Sequence, residues 1–295
     1  MGNQMFEYAY AMYLHKAGKK DDIYVNGCVQ PYMRDHRRLS LHHFKLTPYT
    51  HILSGVSAVV HLLRALFSVL VTVGPMKYVK FLRQGCTLVG EEQKLLKNKG
   101  IYFIRDIFCW PQLVDSCKNK YVFGFFQSSA CFNDIQEELR EAFTVVTPPS
   151  CQNAALIQEI SSCNAVCLNV RRGDYADYAQ LQVCDYDYYR TAVQQACEVL
   201  DSPVFYVFST GHDDVEWVKR NYHFDAQVRY IDLDNPDYEE IRLMMNCKHF
   251  IISNSTFSWW AAALSNNVAD KKVWMPSRWL QGCGVDMSLP GWIKL

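Results

Sequence analysis

Apolar and polar positions in the second half of the chain follow an alternating strand and helix pattern. Short β-branched and aromatic runs predict strands at 165–170, 203–209, 228–231, 249–253 and 272–275. Helical spacing predicts helices at 187–200, 214–222, 238–247 and 258–264. Asp213 is the expected N-cap of the second helix, with Glu216 completing a capping box. Strands separated by helices of this length indicate βαβ units and a parallel, Rossmann-like sheet.

The first half of the chain is less regular. Its pattern predicts a helix at 4–17, a strand at 22–26, apolar segments at 102–108 and 121–126, and a helix at 132–143. The sequence TPPS at 147–150 has the composition of a linker. We therefore expect two domains, at 1–150 and 151–295.

Residues 52–73 form an apolar stretch that is long enough to cross a bilayer. His61 and Arg64 fall at its centre, and a central arginine costs about 2.5–3.5 kcal/mol on insertion scales. We expect a buried or partly surface-seated helix pair here rather than a membrane span.

Composition excludes some classes of function. A content of 49% hydrophobic and 14% aromatic residues is enough to fill cores, so disorder is not expected. Thirty basic residues balance thirty acidic ones, which leaves no overall field for nucleic acid, so any anion site must be local. The twelve cysteines include no CxxC pair and follow no secretory signal. We expect reduced thiols in a cytosolic protein, without structural zinc.

The sequence LNVRRGDY at 168–175 ends an apolar strand with two arginines, a glycine and a carboxylate. Arg171 and Arg172 can converge only where the strand breaks, and Gly173 supplies that break. Paired guanidiniums suit a diphosphate, because arginine binds phosphate oxygens in bidentate fashion. A surface turn with two solvated arginines is the alternative. An adhesion tripeptide fits less well, because it requires an exposed hairpin tip on a secreted protein.

A second polar segment follows the strand at 249–253, in the sequence IISNSTFSWW. The N-terminus of the next helix offers free N–H groups and Ser and Thr hydroxyls, which together can seat a phosphate. Ordinary N-capping by Ser255 or Ser258 is the alternative. Ligands bind at the carboxyl ends of strands in parallel sheets, so two anion-suited strand ends in one sheet favour a binding site.

The chain start and two D-x-D patterns are weaker candidates. Gly2-Asn3-Gln4 directly precedes a helix, where the amides can contact a sugar or phosphate, or only cap the helix. The D-x-D patterns at 185–187 and 232–234 lie at a helix start and beside a proline. Such patterns are common by chance, and we expect no metal site.

These segments resemble glycosyltransferase family 11, the α-1,2-fucosyltransferases. GNQMFEYAYA at the start resembles that family's GNQMFQYAFA, and GFFQS at 124–128 is similar to its GYFQS. NVRRGDY resembles H-x-R-R-G-D-Y, and 208–217 resembles F-S-x-D-x-x-W. The segment 247–260 resembles C-K-H-x-I-x-A-N-S-S-F-S-W-W. The matches run through nearly the whole chain in family order.

The resemblance implies a GT-B-like α/β fold of two Rossmann-like domains with parallel sheets. The first strand that the family has in its N-terminal domain, before Gly-Asn-Gln, is not found in this sequence. It implies inverting, metal-independent transfer of L-fucose from GDP-β-L-fucose to the 2-hydroxyl of a β-galactoside. Residues 151–295 would bind GDP-fucose, residues 1–150 would face the glycan acceptor, and no cofactor is needed. A cytoplasmic, bacterial-type enzyme is expected, and peripheral association with the inner face of a membrane stays open.

The resemblance also assigns roles to single residues. Arg171 and Arg172 would clamp the diphosphate as GDP leaves. Independently of the resemblance, Asp174 is the candidate base, because it is the carboxylate nearest to the two arginines, and its alternative role is to hold Arg172 or the loop backbone by hydrogen bonds. Asn169 stands where the family has histidine, and Glu240 where it has aspartate. The expected substrate-binding residues are Asn3, Gln4, Asn169, Glu240, Asn254, Ser255, Thr256 and Phe257.

Overall fold

The computed structural model describes residues 1–18, 22–26, 39–76, 78, 91–104, 106–113, 120–130, 132–173, 175, 178–265 and 269–295. The chain forms two compact units. The N-terminal unit comprises Asn3–His42 and Leu46–Ile135, and the C-terminal unit comprises Met1–Gly2, His43–Lys45 and Gln136–Leu295. This division falls before the boundary that linker composition predicts at residue 150. Ser150 instead caps a helix, since its Oγ accepts a hydrogen bond from the Asn153 N–H at 3.1 Å.

The N-terminal unit contains two small parallel sheets. Its elements are α1 (Gly2–Ala17), β1 (Ile23–Asn26), β2 (Thr50–Leu53), α2 (Gly55–Val73), α3 (Glu91–Lys97), β3 (Ile101–Phe103) and β4 (Tyr121–Phe123). Strand β1 pairs with β2 and β3 pairs with β4, both in parallel. The predicted helix at 4–17 and strand at 22–26 are confirmed. The segments at 102–108 and 121–126 form strands only over their first residues.

Helix α2 corrects the prediction of a helix pair at 52–73. Ile52 and Leu53 belong to strand β2, and a single helix then runs without a break from Gly55 to Val73. A short strand and a buried helix turn cannot be told apart by hydrophobicity alone, and pairing with β1 decides the matter here. Within this part of the structure, Val69 of α2 packs in a core with Leu96, Ile101 and Phe103.

The C-terminal unit alternates strands and helices, as predicted. Its elements are α4 (Gln136–Ala142), α5 (Cys151–Ser162), β5 (Asn164–Asn169), α6 (Tyr186–Val199), β6 (Pro203–Phe208), α7 (Gly211–Asn221), β7 (Gln227–Tyr230), α8 (Asp237–Met245), β8 (His249–Ile251), α9 (Thr256–Leu264), β9 (Val273–Met275) and β10 (Ile293–Lys294). The five predicted strands are confirmed within about two residues, which is the usual uncertainty of element ends. Strand β10 was not predicted.

One sheet carries all six strands of this unit in the order β10-β9-β8-β5-β6-β7. Every neighbouring pair is parallel. The chain adds β6 and β7 on one side of β5 and then returns to add β8, β9 and β10 on the other. This is the strand order of a Rossmann fold. The order in which strands are added to the sheet reverses between β5 and β8, and we call this place the reversal point. Both faces are covered, because strands β5, β6 and β8 are buried almost throughout.

Helix α7 begins earlier than the capping-box pattern predicts. It starts at Gly211, whose φ of +78° turns the chain sharply out of β6. Asp213 therefore lies in the first turn rather than at the N-cap, and the predicted capping box is wrong. Glu216 instead accepts a hydrogen bond from the Lys219 ammonium at 2.6 Å.

Candidate active site

The candidate site lies where strands β5 and β8 end side by side. In an open parallel sheet, the point at which the strand order reverses leaves a crevice at the carboxyl edge, and ligands bind there. Arg171 follows β5, and Asn254-Ser255 follows β8 and leads directly into α9. The two sequence segments predicted to bind an anion thus stand on the two sides of the reversal point.

Arg171 is positioned by the end of the neighbouring strand β6. It is partly buried, and its Nη1 donates a hydrogen bond to Thr210 Oγ1 at 2.9 Å. The guanidinium carbon lies 5.1 Å from the centre of the Tyr175 ring, within range of a cation–π contact. A backbone fixed by the sheet and a side chain fixed at its tip hold this charge at the carboxyl edge.

Glu240, in the first turn of α8, is electrostatically coupled to Arg171. Burial raises the pKa of the Glu240 carboxyl to about 7, while the Arg171 charge acts to lower it and Asp237 to raise it. A carboxyl with this pKa is partly protonated at neutral pH, so it can accept or donate a hydrogen bond there. The predicted site residues Arg171 and Glu240 are therefore close enough for the charge of one to affect the other.

Arg172 points to helix α7 and has its own set of contacts. Its guanidinium carbon lies 3.5 Å from the centre of the Trp217 ring, and its Nε lies 3.4 Å from Asp214 Oδ1. The second carboxylate oxygen of Asp214 accepts a hydrogen bond from the Gly173 N–H at 2.8 Å. Asp214 and Trp217 thus fix the RRG turn, in which Gly173 has a φ of +45°. Asp174 lies outside the described residues.

Asn169 joins three adjacent strand ends. Its Oδ1 accepts a hydrogen bond from Ser253 Oγ at 2.8 Å, and its Nδ2 lies 3.5 Å from the Phe208 carbonyl oxygen. The residue is buried. Its amide is therefore engaged in linking β5 to the ends of β6 and β8.

Asn254 has a similar internal role. Its Nδ2 donates hydrogen bonds to the carbonyl oxygens of Leu181 at 3.0 Å and Trp279 at 3.1 Å. Its own carbonyl oxygen accepts a hydrogen bond from the Tyr175 hydroxyl at 3.1 Å. Asn254 therefore ties the loop after the RRG turn to the end of β8.

The first turn of α9 contains the other predicted residues. Ser255 occupies the N-cap position without a capping bond from its side chain, and it is buried, whereas Thr256 and Phe257 are partly exposed. Trp259 and Trp260 of the same helix are both fully buried and hold it in the core.

Gly2 approaches the same turn so closely that no side chain fits. A Cβ at residue 2 would lie 2.5 Å from Thr256 Oγ1 and 2.7 Å from the Phe257 backbone nitrogen. The Gly2 carbonyl oxygen accepts a hydrogen bond from Trp260 Nε1 at 3.1 Å. Glycine at the chain start is thus required by backbone packing against α9.

Asn3 and Gln4 lie in the N-terminal unit and make contacts within it. Asn3 Oδ1 accepts a hydrogen bond from Gln127 Nε2 at 3.1 Å, and Gln4 Oε1 accepts one from the Ser40 N–H at 3.1 Å. Gln4 is buried and Asn3 is partly exposed. The hydrogen bond between Asn3 and Gln127 joins the GNQ segment to the GFFQS segment, two of the segments that resemble family motifs.

Sequence reasoning missed Thr210, Asp214 and the ring of Trp217 as partners of the two arginines. The signal was present, because Trp217 closes the F-S-x-D-x-x-W element that the sequence resembles. In the described part of the chain, no group of three or more His, Cys, Asp or Glu side chains could hold a metal ion.

A six-stranded parallel sheet of the Rossmann type, covered by helices, defines an α/β protein, and folds of this class bind ligands at the reversal point where the arginines lie. Residues 98–293 match glycosyl transferase family 11, and the chain belongs to that family. It is therefore a glycosyltransferase, and its α/β architecture with parallel sheets is GT-B-like.

Two curated proteins of Escherichia coli are similar to this chain. The O-antigen biosynthesis glycosyltransferase WbnK is 29% identical over 317 residues, which cover 100% of this chain and 97% of that protein. An alpha-1,2-colitosyltransferase is 35% identical over 152 residues, which cover 48% of this chain and 50% of that protein.

Proposed function

We propose that the enzyme transfers L-fucose from GDP-β-L-fucose to the 2-hydroxyl of a β-galactoside, with inversion and without a metal ion. The observation that carries this proposal is the position of Arg171 at the reversal point of the sheet, held by Thr210 and coupled to Glu240. A diphosphate is the ligand chemistry that a fixed guanidinium at this edge suits best.

Arg171 is assigned to the leaving group. The acceptor oxygen attacks C1 of fucose, the bond from C1 to the β-phosphate oxygen breaks, and GDP departs with the bonding electrons. Negative charge grows on the β-phosphate during this step, and a guanidinium already in place stabilises it more in the transition state than in the bound donor.

Arg172 is assigned mainly to shaping the turn, on the evidence of its stacking on Trp217 and its pairing with Asp214. Its charge still adds to the positive potential at the strand end. Across the crevice, the N–H groups of the first α9 turn supply a second seat for phosphate oxygens, beside Ser255, Thr256 and Phe257. The backbone of Gly2 borders this seat without a side chain to block it.

Asp174 remains the candidate base that takes the proton of the acceptor hydroxyl. Its alternative role was to hold Arg172 or the loop backbone. Asp214 performs both of those tasks, through Arg172 Nε and the Gly173 N–H. This supports the catalytic assignment for Asp174. Glu240 is assigned to the ribose or the guanine base, both of which offer hydrogen-bond donors to a carboxylate.

The remaining assignments concern the acceptor and the cell. We assign the glycan acceptor to residues 1–150, with Asn3 and Gln4 as contacts, and GDP-fucose to residues 151–295. The O-antigen relative supports a cytoplasmic enzyme that builds a surface glycan. We place its action at the inner face of the membrane.

A second donor is favoured by one comparison. The relative that is 35% identical over 152 residues carries the name alpha-1,2-colitosyltransferase. The proposed phosphate contacts read the diphosphate and not the sugar, so the same site would serve GDP-colitose. The α-1,2 linkage is common to both proposals.

The test is a donor and acceptor panel. The purified enzyme is incubated with GDP-fucose or GDP-colitose and a series of β-galactosides, in the presence of a chelator, and GDP release and product linkage are measured. We expect GDP release with GDP-fucose and an α-1,2 product. If only GDP-colitose gives a product, the transferred sugar is colitose and not fucose. Dependence of turnover on an added divalent metal would contradict the proposed mechanism. GDP binding without turnover of any donor would point to a binding protein.

A further inference from the structure

Helix α2 has two apolar faces, and among the residues that the structure describes only one of these faces is buried. Ala58, Ala65 and Val69 are buried and face the N-terminal unit. Val69 joins the core formed with α3 and β3, against which Leu66 and Val73 also pack. This inner face accounts for the stability of the helix, because the packing of one apolar stripe is sufficient to hold a surface helix.

The outer face of α2 is apolar and exposed. Val56 is 80% exposed, Phe67 is 65% exposed and Val71 is 69% exposed. Val59, Val60 and Leu63 are exposed as well. At about 100° per residue, these six side chains fall within an arc of about 120° on the side opposite the buried stripe. A continuous apolar surface of this kind indicates a partner or a membrane rather than scattered surface residues.

The charge of the surrounding sequence is one-sided. Between His51 and Gly90 the chain has no Asp or Glu and four Lys or Arg residues, at 64, 77, 80 and 83. Over the whole chain, thirty basic residues balance thirty acidic ones. Arg64 is exposed and borders the apolar arc on α2. Apolar side chains with basic residues at the margin are typical of helices that lie in the plane of an anionic membrane surface.

We propose that α2 docks the protein on anionic phospholipid, with its outer apolar face, from Val56 to Val71, inserted among the headgroups. The inner face keeps its contacts with the N-terminal unit while the outer face leaves water. Arg64 reaches the lipid phosphates from the edge of the apolar arc, as long basic side chains do at membrane interfaces.

Two other occupants of this surface fit less well. Within the described residues, α2 is the helix with the length and apolarity to cross a membrane. Crossing would bring Arg64 to the bilayer centre and would strip Val69 from its core. A second copy of the chain would place two apolar faces bordered by Arg64 against each other, and α2 has no acidic residue to neutralise this charge, whereas anionic lipid neutralises it.

The experiment is flotation of the full-length protein with vesicles of phosphatidylcholine alone or mixed with phosphatidylglycerol. We expect binding to the mixed vesicles and release at high salt. The variant Leu63→Ser/Phe67→Ser should reduce the partition constant on the order of 10- to 100-fold, because two apolar side chains no longer insert. Val146→Ser, which changes an exposed valine of the C-terminal unit, is the matched control.

Three results would overturn the proposal. Equal binding of wild type and the double variant would show that α2 is not the contact. Retention in the membrane after alkaline extraction would identify a span. A lipid-free dimer that the double variant dissociates would identify a second copy as the occupant. Turnover of a soluble acceptor should be the same in the double variant as in wild type, so this test is separable from that of the donor and acceptor assignment.

Discussion

Arg171 offers the sharpest test of the site. Replacing it with alanine removes the guanidinium that donates to Thr210 and that counters burial in setting the Glu240 pKa. The backbone at residue 171 should not move, because strand β5 pairs on both sides and the next residue, Val170, still donates a hydrogen bond to the Phe208 carbonyl oxygen at 2.9 Å. The substitution therefore isolates the charge from the fold.

The expected loss is on the order of 10²–10³ in kcat, which corresponds to about 2.7–4 kcal/mol of transition-state stabilisation. The effect belongs in kcat because, in the proposed reaction, the β-phosphate gains charge only as its bond to the transferred sugar breaks. Arg171→Lys keeps the charge but offers one compact donor group in place of a planar fork. It should therefore recover only part of the lost rate.

The assay is steady-state GDP release with GDP-fucose and a β-galactoside, with thermal unfolding as a check of the fold. Arg190→Ala is the matched control, since Arg190 is an exposed arginine of the same unit that pairs with Asp187 on α6. A folded Arg171→Ala variant with near wild-type kcat would refute the leaving-group assignment. An equal loss in Arg190→Ala would show that general charge is responsible.

Three further substitutions test neighbouring contacts. Glu240→Gln should stabilise the protein relative to wild type above pH 7 and not below pH 4.5. The raised pKa means that the folded state favours the neutral carboxyl. The stability that Glu240 contributes in wild type is therefore lost as pH rises from 4.5 through 7, whereas glutamine stays neutral. Urea titrations at pH 4.5 and 8 measure this, and a constant difference would contradict the burial of a titrating carboxyl. Asp214→Asn should lower kcat/KM on the order of tenfold by releasing Arg172 and the Gly173 N–H, while Asp213→Asn, one residue away and exposed, should not. Gly2→Ala should cost about 1–3 kcal/mol in unfolding free energy, because its Cβ would meet the α9 backbone, whereas Gly284→Ala has open space around it; equal midpoints for the two would disprove the close approach.

The sheet of the C-terminal unit was predictable because β5, β6, β8 and β9 are mostly apolar runs and the helices between the strands have a helical period. The prediction failed where local signals compete. Asp213 and Glu216 have the pattern of a capping box, but the helix starts earlier, at Gly211, and Asp213 lies in its first turn. The next residue, Asp214, binds the RRG turn, which the pattern did not indicate. Strand β10 is two residues long, which is too short to produce a pattern.

The position of the site was predictable from the sequence, but which of its polar side chains make hydrogen bonds within the protein was not. An amide at a strand end is chemically suited both to a ligand and to a neighbouring strand. Asn169 and Asn254 both bind within the protein, to partners far away in sequence such as Ser253 and Leu181. Nothing in the residues around Asn169 indicates that a serine of another strand will lie 2.8 Å away. Such pairings depend on strand order, which periodicity does not determine.

The two adjacent arginines have different neighbours, which bears on the different roles proposed for them. Adjacent side chains at the end of a strand leave it in different directions. One direction leads Arg172 onto Trp217 and Asp214 of α7, where its charge is already compensated. The other leads Arg171 to the reversal point, where its neighbours are the Thr210 hydroxyl and a Glu240 carboxyl that burial keeps partly neutral. A carboxyl that is partly neutral offsets the Arg171 charge less than a full carboxylate would, which agrees with the diphosphate contact proposed for Arg171.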